Sequence, residues 1–212
     1  MIQYTTMKQT TEKILSDLFI RHPVLETCRA DIKAAFDVLI ACYTSGGKVL
    51  TCGNGGSAAD AEHIVGELMK KFIKPRPLPD SIAKRMCPEL AAKLEGALPA
   101  LSLVSMSGIL TAFANDVSWE TAFAQQVLGL AKPNDTLIAL STSGSSANCV
   151  TAAEVARAVG AKSIALTGTR ESRLSTICDV TIRVPATDTF KIQELHLPVY
   201  HALCAMLEEE LF

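Results

Sequence analysis

Apolar positions recur with a helical period through the first 45 residues and with a different rhythm after them. Ile14, Leu18 and Ile20 mark one helix. Beyond Pro23, the series Ile32, Phe36, Leu39 and Ile40 marks a second, which Gly46 and Gly47 stop. From there short apolar runs alternate with helical stretches: KVLTC (48–52), ALSLV (100–104), DTLIAL (135–140), KSIAL (162–166) and DVTIRV (179–184). Unbroken apolar strands suit a sheet covered on both faces, so the pattern predicts an α/β fold with a parallel sheet and two leading helices.

Two stretches break the alternation. Residues 73–99 carry five prolines and predict one short helix around Pro88–Leu98, so the segment reads as an insertion. From about Asp188 to the end, the periodicity predicts one long helix that closes on a solvated acidic run, Glu208 to Glu210.

Composition narrows the class of partner. The 212 residues show no internal linker, so they read as a single domain, 1–212. Lys and Arg number 20 against 22 acidic residues, which supplies no basic field for nucleic acid and no polybasic patch for a membrane. The seven cysteines are scattered and lack a Cys-x-x-Cys pair, which points away from disulfides and cysteine zinc sites and toward a reducing cytoplasm. The opening MIQYTTMKQTTEK has no apolar signal-peptide core, and no run is long enough to cross a membrane.

Two loops follow strands. Gly53, Gly55 and Ala58 match G-x-G-x-x-A between a strand and a helix. A dinucleotide site also needs an acidic residue at the end of the next strand, and Val104-Ser105-Met106-Ser107 has none. The second loop, STSGSS (141–146), precedes the helical ANCVTAAEVARAVG. Hydroxyls beside helix N–H groups can seat a phosphate dianion, or they can serve only as turn formers and an N-cap. Both loops belong at the carboxyl ends of strands, where one would hold phosphate and the other, through Asn54 and Ser57, sugar hydroxyls.

His63 and Glu67 stand four residues apart on one helix; an i, i+4 pair of this kind is ordinarily a surface interaction of roughly 0.3–0.5 kcal/mol. On the last helix Gln193 and His201 face the same way, while His196 on an adjoining flank reads as a partly buried histidine with a local hydrogen bond. Two imidazoles, a carboxylate and an amide oxygen converging from two helices would suit zinc or a similar divalent ion.

CGNGGSAADAEHIVGEL, FANDVSWE, LSTSGSSAN and KIQELHLPVYH together resemble the phosphoheptose isomerases of the sugar isomerase (SIS) domain family, over nearly the whole chain. The resemblance implies a five-stranded parallel sheet flanked by helices, and isomerisation of sedoheptulose 7-phosphate for heptose nucleotide and cell-surface glycan synthesis. It implies that Ser141, Thr142, Ser143 and Ser146 bind phosphate, and that Asn54, Ser57 and Asp116, with Gly55, Gly56, Asn115 and Gln193, meet the sugar. It also implies one zinc ion per subunit held by His63, Glu67, Gln193 and His201, and a homotetramer with sites built between subunits. Moving a proton between C1 and C2 needs a base near carbon and an acid near oxygen, roles assigned to Glu67 and His201.

Two departures from the family pattern stand out. The insertion at 73–99 is longer than in its common form, and could be a lid or an assembly element bringing Lys70, Lys71, Lys74 and Arg76 to the site mouth. Phe190 stands where an acidic residue is usual before the glutamine, with Asp188 nearby. The main rival is a non-catalytic SIS protein, a sugar-phosphate-binding regulator resembling the replication-initiator-associating proteins, which lacks groups matching Glu67 and His201.

Overall fold

The computed structural model describes residues 7–212, so the reading of the first residues as free of a signal peptide lies partly outside it. The leading helices are α1 (Gln9–Arg21) and α2 (Arg29–Thr44), joined by a 3-10 turn at Pro23–Cys28. Leu15, Leu18 and Phe19 form the buried stripe of α1 at i, i+3 and i+4. Ile20 falls off that stripe and is 76% exposed, although the sequence pattern counted it among the core positions.

β1 (Val49–Gly53), β2 (Ala100–Ser102), β3 (Thr136–Leu140), β4 (Lys162–Thr167) and β5 (Val180–Arg183) form one parallel sheet in the order β2-β1-β3-β4-β5. Side chains alternate across it. Ile138 and Leu140 pack with Phe36, Leu39, Ile64 and Leu203 on one face, while Leu137 and Ala139 pack with Phe123, Val127 and Ala153 on the other. Both faces being dry explains why these strands read as continuous apolar runs. Chain order reverses between β1 and β3, since β2 lies on one side of β1 and β3 on the other. Such a switch point opens a crevice at the carboxyl ends of the strands. Gly53 pairs with Leu140, so Asn54 and Ser141 leave adjacent strand ends.

α3 (Gly56–Met69) descends from that edge after β1. The insertion holds two single turns, α4 (Asp80–Ala83) and α5 (Pro88–Ala91), in place of the one helix expected over 88–98. α6 (Ser107–Asp116) and α7 (Ala122–Leu130) follow β2; α8 (Ala147–Ala158) and α9 (Arg173–Ile177) follow β3 and β4. α10 (Thr189–Leu211) runs unbroken through Pro198. Among the described residues no helix is long and apolar enough to cross a membrane.

α3 and α10 run in the same direction. A Cβ on Gly56 would meet the Gln193 carboxamide at 2.7 Å, and lower down His63 faces Tyr200 and His201. At the foot, Glu208 is 1% exposed rather than solvated. Its carboxylate accepts from the backbone N–H groups of Phe72, Ile73 and Lys74 at 2.7–2.9 Å and from Arg76 Nε at 2.7 Å. The buried Arg76 guanidinium donates in turn to the carbonyls of Leu68 and Glu67, which end α3. Burial alone would raise the Glu208 carboxyl, but its donors outweigh burial and hold it below the usual range. The start of the insertion is therefore fixed to α10, and Arg76 is not a cation at a mouth.

Removing one partner of a buried pair strands the other charge, so Arg76→Met should lower the unfolding free energy by about 3–5 kcal/mol in chemical denaturation. For an isolated pair the double variant Arg76→Met/Glu208→Met would recover much of this. Here it should not, because three backbone N–H groups lose their acceptor.

Candidate active site

The side chains singled out by sequence fall into an upper and a lower group. The upper group lies at the carboxyl edge of the sheet. In the serine loop Ser141 Oγ lies 2.9 Å from Ser146 Oγ and 3.5 Å from Ser143 Oγ, so three hydroxyls converge. Ser146 is the N-cap residue of α8, yet its side chain caps no helix N–H. That favours an open anion seat over a plain cap. Gly144, at φ +66°, turns the loop so closely over Ser172 that a Cβ would meet its hydroxyl. Thr142 and Ser143 open onto a cavity of about 170 Å³, walled further by Thr169, Arg170, Thr187 and Thr189. Sequence reasoning missed these four, since their loops carry no motif.

Gly55, at φ +57°, makes the turn into α3, and Gly56 lets Gln193 approach. Ser57 is 3% exposed beneath that turn. The Asn54 carboxamide is engaged by Asn148. Asn115 donates to Asp116 at 2.8 Å, and both are exposed at the end of α6. The chain then returns to α8, where Thr151 donates to the Glu120 carbonyl at 2.6 Å.

The lower group is His63, Glu67 and His201. His63 Nε2 lies 3.3 Å from Glu67 Oε1 and 3.4 Å from His201 Nε2. Lys70 Nζ holds the other Glu67 oxygen at 2.8 Å. Behind His63, the Tyr200 hydroxyl donates to Asp60 Oδ1 at 3.1 Å and lies 3.0 Å from His63 Nδ1. A hydroxyl has one proton, so with an ionised Asp60 it is His63 Nδ1–H that donates to Tyr200. In the neutral ring that tautomer leaves the Nε2 lone pair facing Glu67 and His201. Burial, and then His63 itself, pushes the pKa of His201 down, which keeps its imidazole neutral near pH 7. His201 also walls a cleft of about 400 Å³ with Ile14, Phe72 and Ile73. Tyr200 and Asp60 carried no signal in sequence, because a buried tyrosine in an apolar stripe looks like core.

The two distances at His63 match the edges of a tetrahedron with bonds of roughly 2.0–2.1 Å, as zinc requires. The full quartet is not assembled. Gln193 lies eight residues before His201, about 12 Å of helix rise, and rests on Gly56. Among the described residues no three His, Cys, Asp or Glu side chains form a ready metal cluster. Burial raises Cys178 to about 11 and Cys204 to about 12, so neither is poised as a nucleophile.

Comparison with known proteins bears on the chain as a whole. The SIS domain family profile matches residues 19–168. A phosphoheptose isomerase of Rhodospirillum rubrum is 40% identical over 196 residues, covering 92% of this chain and 93% of its own. One from Burkholderia pseudomallei is 39% identical over 187 residues, covering 88% and 85%. Among solved structures, a phosphoheptose isomerase from Francisella tularensis superposes with a TM-score of 0.76 at 29% identity, covering 95% of this chain and 100% of its own. That from Neisseria gonorrhoeae gives 0.71 at 28%, covering 94% and 92%.

His196 stands apart from both groups. Fully buried, it donates from Nε2 to the Thr167 carbonyl at 3.3 Å and leaves Nδ1 without a partner, and burial pushes it down to about 4. The unfolded chain binds this proton near pH 6.5, the folded chain only near 4. The stability tied to a neutral His196 is therefore complete above pH 6.5 and is lost as pH falls toward 4, by about 3 kcal/mol in all. Denaturation midpoints across that window should show the loss, and His196→Gln should flatten it.

Proposed function

Since this chain belongs to the SIS domain family and, within it, to the phosphoheptose isomerases, we propose that it interconverts sedoheptulose 7-phosphate and D-glycero-D-manno-heptose 7-phosphate through an enediol, for heptose nucleotide synthesis. The observation that carries the reading is the presence of a cluster of serine hydroxyls at the start of α8 together with an imidazole–carboxylate set on α3 and α10.

In this mechanism Ser141, Thr142, Ser143 and Ser146 hold the phosphate at the start of α8. The Gly55–Ser57 turn, Gln193, Asn115 and Asp116 border the sugar hydroxyls, with Asn54 at the base of that turn. Glu67 takes the proton from carbon. Lys70 steadies one of its oxygens and leaves the other facing His63. Neutral His201 donates its N–H proton to the carbonyl oxygen as charge develops there and takes one from the neighbouring hydroxyl, while Glu67 returns its proton to the adjacent carbon, so both groups end the turnover as they began. Zinc held by His63, Glu67 and His201 would supply Lewis acidity at the enediol oxygens, with Gln193 left beside the sugar. The two edges at His63 support it, and no step above runs through it.

We take the assembly to be a homotetramer with shared sites, a reading supported by exposed Ile20, Met69 and Ile73. The free cysteines suit a cytoplasmic setting. A purely regulatory SIS protein would have no use for Glu67 and His201.

Glu67→Gln and His201→Asn should each fold, bind sugar phosphate, and turn over at least about a hundredfold more slowly; near-normal kcat in either would sink the assignment. Ser143→Ala and Ser146→Ala should raise KM more than they lower kcat, because phosphate contacts serve ground and transition states alike. Metal analysis of purified protein should return about one zinc per subunit, and a metal-free, fully active preparation would remove zinc from the reading.

A further inference from the structure

Asn54 and Asn148, 94 residues apart, face each other with both ends of their carboxamides. Asn54 Nδ2 donates to Asn148 Oδ1 at 2.9 Å, and Asn148 Nδ2 donates back to Asn54 Oδ1 at 2.8 Å. The Asn54 amide nitrogen also reaches Cys149 Sγ at 3.8 Å. The reciprocal pattern fixes both orientations, because turning either amide over would set oxygen against oxygen and N–H against N–H. Asn148 is 3% exposed, so breaking the pair strands polar groups away from water.

The position of the pair gives it a role. Asn54 begins the turn that launches α3, the rigid element carrying His63 and Glu67. Asn148 lies in the first turn of α8, directly after the serine loop. Among the described residues, hydrogen bonds from Asn54 to Asn148 and Cys149 are the only ones joining 54–57 to 141–149. With its carbonyl and amide already committed, Asn54 does not hold out a side chain to the sugar, which its place in a site loop had led us to expect.

We propose that the Asn54–Asn148 pair is a positioning element that ties the phosphate seat to the base-carrying helix and so sets which carbon-chain length is isomerised. The proposal rests on the isomerase function above. A ketose phosphate held by its phosphate presents C1 and C2 at a distance fixed by its own length, so the protein must hold its base at the matching distance. A displacement of about 1 Å at the reacting centre is enough to cost on the order of a hundredfold in rate.

The test uses Asn54→Ala, Asn148→Ala and the double variant, assayed with seven-carbon and five-carbon ketose phosphates and with inorganic phosphate as competitive inhibitor. Each single variant should lower kcat/KM on the seven-carbon substrate by on the order of tenfold or more, and narrow its advantage over the five-carbon one. The double should be no worse than either single, as for groups acting as a unit, and inhibition by phosphate should hold nearly constant. An unchanged chain-length ratio in Asn148→Ala overturns the proposal; so does a loss confined to Asn54→Ala, which would make Asn54 a plain sugar ligand. If Asn148→Ala fails to fold, an unchanged ratio in Asn54→Ala overturns it equally. Failure of the isomerase reading is distinct, since wild type would then be idle on every ketose phosphate. In that case amide exchange decides: inorganic phosphate should slow exchange over residues 54–60 in wild type and not in the variants, and equal protection in both refutes the tie.

Discussion

The chemistry of this chain hangs on the register of α10 against α3. Gln193 rests on Gly56, Tyr200 and His201 meet His63, and Glu208 gathers the chain that leaves α3. These contacts keep a nearly constant sequence offset, so the helices lie alongside one another without slipping. A slide of one turn, about 5.4 Å, would break all of them together. The Arg76–Glu208 pair gives the register its foot, where a buried charge tolerates no other partner. Gly56 gives it its head, where only the absence of a Cβ permits the approach.

The switch point of the sheet supplies the other half of the site. β1 and β3 are neighbours whose chains turn to opposite sides, and their ends deliver Asn54 and Ser141 side by side. The serine hydroxyls bond to one another rather than to the helix they precede. An anion would thus find both hydroxyls and helix N–H groups, in the manner of many phosphate sites. The hydroxyls sit at the head of α8, while His63, Glu67 and His201 sit lower, between α3 and α10.

Much of this could be read from sequence. Strand runs such as DTLIAL announce themselves because β3 is buried on both faces, and the pattern located all five strands to within a residue or two. The serine loop and the His63–Glu67 spacing were likewise legible, being local patterns on single elements. What escaped was whatever depends on distant contact. Glu208 looks like part of a solvated acidic tail until Arg76 and three N–H groups are seen around it. Tyr200 looks like core until Asp60 and His63 appear beside its hydroxyl. Asn54 looks like a ligand until Asn148 takes both ends of its amide. In each case the partner lies more than 90 residues away, beyond any periodicity.

The long offset between α3 and α10 also bears on the order in which the molecule comes into being. The inward positions of α3, Ile64 and Leu68, pack in the same core as Val199, Leu203 and Leu207, which lie far along the chain from them. α1 waits as well, since Thr10 and Thr11 bond to Glu209 and Glu210. A chain can pair its strands and still carry an uncovered apolar face until α10 docks. Closing such widely separated contacts is slow in folding, and the uncovered face is the kind of surface chaperones engage. α10 is thus the lock that ends the exposure, and it brings His201 to His63 in the same event.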